Sequence, residues 1–124
     1  MHAGDVGDPK ILQELVSLAP VFVVRGNTDR GAWADALPMT EVVEVGGVVF
    51  YLIHILDDLD LDPGAAGIDV VVFGHSHEPT AERRKGVLFL NPGSAGPRRF
   101  DLPITLARLS IGDGTIEAGI LSLE

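Results

Sequence analysis

Apolar runs in this chain repeatedly stop at a glycine or a polar residue able to do chemistry. Val70-Val71-Val72-Phe73 has four β-branched or aromatic residues without a polar interruption, and Gly74-His75-Ser76-His77 follows at once. That pattern predicts a short strand buried on both faces, as in parallel sheets, with two histidines at its C-terminal end. Val21-Phe22-Val23-Val24 predicts a second buried strand and leads into Arg25-Gly26-Asn27-Thr28-Asp29. Between the opening Met1-His2-Ala3-Gly4-Asp5 and that strand, Asp8-Pro9 reads as an N-cap followed by proline at the first helical position. Ile11, Leu12, Leu15 and Val16 then recur at helical spacing, giving one amphipathic helix that ends near Ala19-Pro20. A short irregular or helical piece runs to Leu37, and Thr40 to Val45, Gly46-Gly47 and Val48 to His54 predict a hairpin with a primed turn. Asp57 to Asp62 is an acidic loop, with Asp62-Pro63 opening a single helical turn. The remainder predicts short strands over Ala81 to Lys85 and Val87 to Asn91, a tight turn at Asn91-Pro92-Gly93-Ser94, and a last hairpin. That hairpin pairs Ile104 to Ile111 with Ile116 to Leu123 around Asp113-Gly114. A βα beginning and a β-rich end with few helices is a mixed α/β (α+β) architecture.

The length of 124 residues allows one domain, 1–124, with one core. A hydrophobic fraction of 46% against 22% charged residues is that of a folded globular chain. The net charge of −9 argues against a nucleic-acid backbone or an anionic membrane as partner, unless metal ions invert the potential locally. With no cysteine there is neither a disulfide framework nor a thiolate site, which fits a cytoplasmic location. The longest apolar run, Val48 to Ile55, falls well short of the ~20 residues a membrane helix needs.

The polar residues at the strand ends form one chemical set: Asp5, Asn27, His54, His75 and His77. One carboxylate, one carboxamide and three imidazoles suit Mn, Fe, Co, Ni or Zn better than Ca or Mg. A carboxylate can bridge two cations, and two ions roughly 3.5–4 Å apart make a shared water nucleophilic at neutral pH. No Ser-His-Asp arrangement, phosphate-cradling glycine loop or thiol offers a rival chemistry.

Gly4-Asp5, Gly26-Asn27-Thr28-Asp29, His54 and Gly74-His75-Ser76-His77, in that order and spacing, resemble the calcineurin-like metallophosphoesterase superfamily. His2-Ala3-Gly4-Asp5, Arg25-Gly26-Asn27 and Asn91-Pro92-Gly93-Ser94 are similar to the local signatures of its small YfcE-type phosphodiesterases. The resemblance implies a β-sandwich flanked by helices and hydrolysis of a small phosphodiester by a metal-activated water. It further implies that Asp5 bridges two metals, that Asn27, His54 and His75 complete one site, and that His77 belongs to the other. Manganese is the expected ion, with Ni, Fe, Zn or Co as alternatives, and Asn27 and Thr28 are the expected substrate contacts. Dimers are common in relatives, which leaves a homo-oligomer open.

Two departures from the family pattern stand out. The family opens on a strand ending in Asp-x-His, which occurs nowhere in these 124 residues. One metal position would then keep only Asp5 and His77, so a single ion is possible here. The expectation is that the first strand and helix of a family member are lacking, leaving strand edges open to pairing. The second departure is Thr28, standing where phosphomonoesterases of the superfamily often carry a proton-donating histidine. Its absence fits diesters with good leaving groups. The rival expectation is a binding module that keeps the fold without turnover, as in the retromer subunit of this superfold.

Other residues are given structural roles. Strand alternation turns His2 away from Asp5. Asp58-Leu59-Asp60-Leu61-Asp62 echoes a calcium loop but has Pro63 where a glycine is required. Arg83, Arg84 and Lys85 read as a charged sheet edge, Arg98 and Arg99 as candidates to face substrate, and Asn91 to Ser94 as a turn that supports the site.

Overall fold

The computed structural model describes residues 1–98 and 101–124. Its central sheet has five strands in the order β1-β2-β3-β5-β4: β1 (Thr40–Val45), β2 (Val48–Ile53), β3 (Val70–Val72), β4 (Thr80–Arg84) and β5 (Val87–Asn91). β2, β3 and β5 run parallel at the centre, and the antiparallel β1 and β4 form the edges. The continuous apolar runs therefore lie where both faces are covered. All of β3 and β5 is buried.

Alternation distributes the side chains of the central strands to two cores. Val48, Phe50, Leu52, Val70, Val72, Leu88 and Leu90 face one side with Ala3 and Val24. Tyr51, Ile53, Val71, Val87 and Phe89 face the other with Ile68. The first side is closed by a second sheet, the hairpin β6 (Thr105–Gly112) and β7 (Thr115–Ser122), whose Ala107, Leu109, Ile116 and Ala118 pack down on it. The second is closed by the acidic segment, through Leu56, Leu59 and Leu61 and a 3-10 turn at Leu56–Asp58. Each fully buried Leu or Val contributes about 1.5–3 kcal/mol relative to exposure.

Local turn chemistry fixes both hairpin registers. Gly46 and Gly47 hold φ of 58° and 79°, joining Val45 to its partner Val48. Asp113 and Gly114, at 44° and 79°, bring Gly112 opposite Thr115. Both turns have the positive φ pair that primed two-residue loops need. β4 is the charged edge: Arg84 meets Glu82 at 3.1 Å and lies over the Phe89 ring at 4.9 Å. Arg83 donates to the Ile116 carbonyl of the covering hairpin.

Two segments differ from the sequence expectation, and a third, the turn at Asp62, follows it. Val21 to Val24 forms no strand of the main sheet. Its pairing is a single parallel bridge, His2 with Val23, and Phe22 is 39% exposed while Val24 is fully buried. A parallel strand needs a neighbour along its length, and the backbone beside it bends away at Gly4, where φ is 102°. α1 (Pro9–Leu18) forms with Asp8 as N-cap, accepting from the Lys10 N–H at 2.8 Å, yet none of its residues is buried. Its periodicity made a helix whose apolar stripe stays open, with Ile11 42% and Val16 61% exposed. The turn at Asp62 is hydrogen-bonded from Ala66 N–H to the Asp62 carbonyl at 3.0 Å and stops after that turn. α2 is the single turn Ala32–Asp35. Among the described residues no helix is long and apolar enough to cross a membrane.

Candidate functional site

Because β2, β3 and β5 are parallel, their C-terminal ends share one rim. His54 follows β2, Gly74 to His77 follow β3, and Asn91 ends β5. Asp5 and Asn27 come to the same rim from the two glycine loops of the N-terminal segment. Asp5, His54, His75 and His77 line one cavity of about 630 Å³ with Thr28, and Asn27 and His54 line a second on the other side.

Close contacts draw four of the five expected ligands together. Asn27 Oδ1 lies 2.8 Å from His54 Nε2 and 3.0 Å from His75 Nδ1. His54 Nε2 lies 3.3 Å from Asp5 Oδ2, and the His54 and His75 rings meet edge to face with centroids 5.3 Å apart. His77 stands on the same loop with its Nδ1 buried and without a hydrogen-bond partner among the described residues. No group of three or more His, Asp or Glu side chains among the described residues stands in metal-holding geometry, and Asn27 is central to the cluster.

The protonation of this cluster follows from its partners. The Ala3 carbonyl, 2.6 Å from His54 Nδ1, can only accept, so Nδ1 carries the hydrogen. Neutral His54 then turns an Nε2 lone pair toward the Asn27 and Asp5 oxygens, which are also acceptors. Three acceptor atoms at such separations repel unless a cation or a shared hydrogen lies among them. For Asp5, burial alone would push the carboxyl up. The Thr28 backbone N–H, at 2.9 Å from Oδ1, the Thr28 side chain and the nearby His54 and His75 outweigh it and hold the group below its ordinary value. For His2, burial dominates and lowers the imidazole, with the N-terminal amine and His54 lowering and Asp29 and Asp5 raising it.

The backbone carries strain at the same places. Asp5, His75 and His77 hold φ of 57°, 70° and 62°, a region that costs a non-glycine residue roughly 1–2 kcal/mol. A Cβ on Gly26 would lie 2.0 Å from Asp5 N and 2.2 Å from its Oδ1, so only glycine allows the two loops to touch. Asn91 supports the histidine loop from below: fully buried, it donates to Gly74 O at 3.2 Å and Ser76 Oγ at 3.0 Å and accepts from Gly93 N–H at 2.9 Å.

Some residues stand elsewhere than their sequence suggests. His2 lines the same cavity as Asp5, and its Nδ1 accepts from Gly4 N–H at 3.2 Å. Alternation does not separate the two, because positive φ at Gly4 and Asp5 breaks the extended backbone between them. Arg98 donates to Leu102 O at 3.4 Å and to Glu124, and Arg99 lies outside the described residues. Asp29, the last residue of the Gly26-Asn27-Thr28-Asp29 motif, has a role that the sequence does not assign. It is 2% exposed and takes the N–H groups of Gly26 at 2.9 Å and Gly7 at 3.0 Å, tying both glycine loops. Its carboxylate reaches back three residues to the Gly26 N–H across the turn closed by Asp29 N–H to Gly26 O at 3.2 Å, and no local signal in the sequence marks that contact.

The chain is similar to a probable metallophosphoesterase of Methanocaldococcus jannaschii, 33% identical over 134 aligned residues. That match takes in 100% of this chain and 66% of the relative, so the chain spans about two thirds of the archaeal protein's length. Among solved structures, a protein of Streptococcus pneumoniae TIGR4 described as a predicted phosphoesterase superposes with a TM-score of 0.75 and 27% identity. It covers 98% of this chain and 71% of its own. Vps29 of Entamoeba histolytica in complex with Zn²⁺ shares the fold at TM-score 0.74 and 22% identity, over 98% of this chain and 80% of that one. YfcE, a phosphoesterase from E. coli, shares it at 0.62 and 24%, over 98% and 82%. The family model of the calcineurin-like phosphoesterase superfamily domain matches residues 1–114. With its mixed sheet and four ordered motifs, this chain belongs to the calcineurin-like phosphoesterase superfamily.

Proposed function

We propose that this chain carries the centre of a metal-dependent phosphodiesterase. The observation that supports it best is the convergence of Asp5 Oδ2, Asn27 Oδ1 and His54 Nε2, spaced by 2.8 and 3.3 Å with their lone pairs facing one another. That donor set fits a divalent first-row ion. Asp5, Asn27, His54 and His75 would hold it, and the unpartnered buried Nδ1 of His77 fits a second position. Manganese is the ion we favour, and the zinc described for the Entamoeba Vps29 supports the wider class. Once bound, such ions lower the pKa of a water and offset negative charge on the phosphoryl oxygens.

The chain's own residues then have separate duties. His54 is held in one tautomer by the Ala3 carbonyl, so its Nε2 is always the free atom. The Thr28 N–H fixes the Asp5 carboxylate and keeps it ionised. In the reaction a water oxygen bonds to phosphorus as the ester P–O bond breaks, leaving a phosphomonoester and an alcohol that takes the proton. Thr28, at the cavity mouth, has no acidic proton to give a poor leaving group, which favours activated diesters over alkyl monoesters.

The test is hydrolysis of bis-p-nitrophenyl phosphate with Mn²⁺, compared with metal-stripped protein and with His75→Ala. We expect turnover only in the metal-loaded wild type and a loss of at least a hundredfold in the variant. Zero turnover in the folded wild type would favour the binding module instead, a reading that the likeness to Vps29 keeps in view.

A further inference from the structure

On the far side of His54 and Asn27 from Asp5 lies a second cavity, of about 450 Å³. Its wall is part apolar, from Met39, Ile53 and Ile55, and part acidic, from the exposed Asp58 and Asp60 of the loop after β2. The one cation among the described lining residues, Arg25, meets Asp35 at 3.3 Å. Tyr51 is 8% exposed with its ring packed in the core beside Ile53, Val71 and Phe89, and it also lines the cavity. Its hydroxyl makes no hydrogen bond among the described residues and is reached from the cavity, so its oxygen can meet a ligand donor.

We propose that this cavity receives one ester group of the phosphodiester and selects an alcohol bearing an ammonium group, with Tyr51, Asp58 and Asp60 as specificity-determining residues. The proposal rests on the phosphodiesterase reading of the neighbouring cluster, since His54 borders both cavities and its partner Asn27 borders this one. An ammonium has up to three N–H donors and no acceptor, and this wall offers a hydroxyl oxygen and two carboxylates. Met39 and Ile53 take the carbon chain. A second phosphate or a carboxylate in that place would face Asp58 and Asp60 with no unpaired cation among the described lining residues to meet it.

The experiment has a kinetic and a binding arm. Hydrolysis of p-nitrophenyl 2-aminoethyl phosphate is compared with that of the ethyl and 2-carboxyethyl esters in Mn²⁺. We expect kcat/KM to fall in that order, with the aminoethyl ester ahead of the carboxyethyl ester by tenfold or more. Asp58→Asn/Asp60→Asn should bring that ratio near one, and Tyr51→Phe, which keeps the ring, should reduce it several-fold. The binding arm titrates the full chain without metal, where no ester turns over, with 2-aminoethyl methyl phosphate and 2-carboxyethyl methyl phosphate. It follows the Tyr51 ring resonances by NMR. Hydrolysis of all three esters at equal efficiency, or equal binding of the two methyl diesters, overturns the subsite and leaves the phosphodiesterase reading standing. Ammonium-selective binding abolished by Asp58→Asn/Asp60→Asn, in a chain that hydrolyses nothing, supports the subsite and sinks that reading.

Discussion

Asp29 is 2% exposed, and the N–H groups of Gly26 and Gly7 take its two oxygens. Hydrogen bonds to a charged group contribute about 1.5–3 kcal/mol each, and truncation leaves both donors without a partner. Asp29→Ala should therefore lower unfolding free energy by about 3 kcal/mol in urea denaturation, and Asp29→Asn, which keeps one acceptor oxygen, by less. His2 sets a pH dependence at the same scale. Burial depresses its imidazole, so the unfolded chain takes up the proton first, near pH ~6.5. The stability it contributes is complete above that value and is lost as pH falls toward the folded one. Protonation also removes the Nδ1 acceptor that Gly4 N–H uses. The metal-free wild type should thus lose more stability than His2→Gln between pH 7.5 and 5.5; equal denaturation midpoints at both pH values would refute it.

The strands act on the site through their ends. β5 closes on Asn91, whose amide holds Gly74 O and Ser76 Oγ and so fixes the loop on which His75 and His77 adopt positive φ. Without that support the loop can relax to ordinary backbone and carry the imidazoles out of line. Asn91→Ala should cost about 1–3 kcal/mol of stability, the usual penalty for leaving buried partners unmet. It should also weaken Mn²⁺ binding on the order of 10–100-fold, the effect expected of a residue that orients ligands. Calorimetric metal titration reads the second effect separately from the first. Helix α1 has no comparable hold, since its apolar stripe packs against nothing that buries it.

For the molecule as a whole, a cation at the rim would join segments from across the sequence that otherwise meet through the sheet and the hydrogen bonds between loops. Asp5 and His75 reach it from different elements, and the core below is built from β2, β3 and β5. Mn²⁺ at a hundred times its dissociation constant should raise unfolding free energy by about 2.7 kcal/mol, and chelation should reverse it. Asn27→Ala and His75→Ala should abolish most of that gain, a readout that does not need turnover. Much of this was legible in the sequence: the buried parallel strands, both hairpins and the ordered motifs depend on side-chain period and turn residues, which are local properties. The failure of Val21 to Val24 to join the sheet was not legible, because pairing depends on a neighbour that the run itself does not contain. Nor were the Asp29 clamp, the tautomer of His54 or the cavity beside Tyr51. Each arises where residues distant in the chain meet, and only the packed backbone sets those distances and the hydrogen-bond partners they allow.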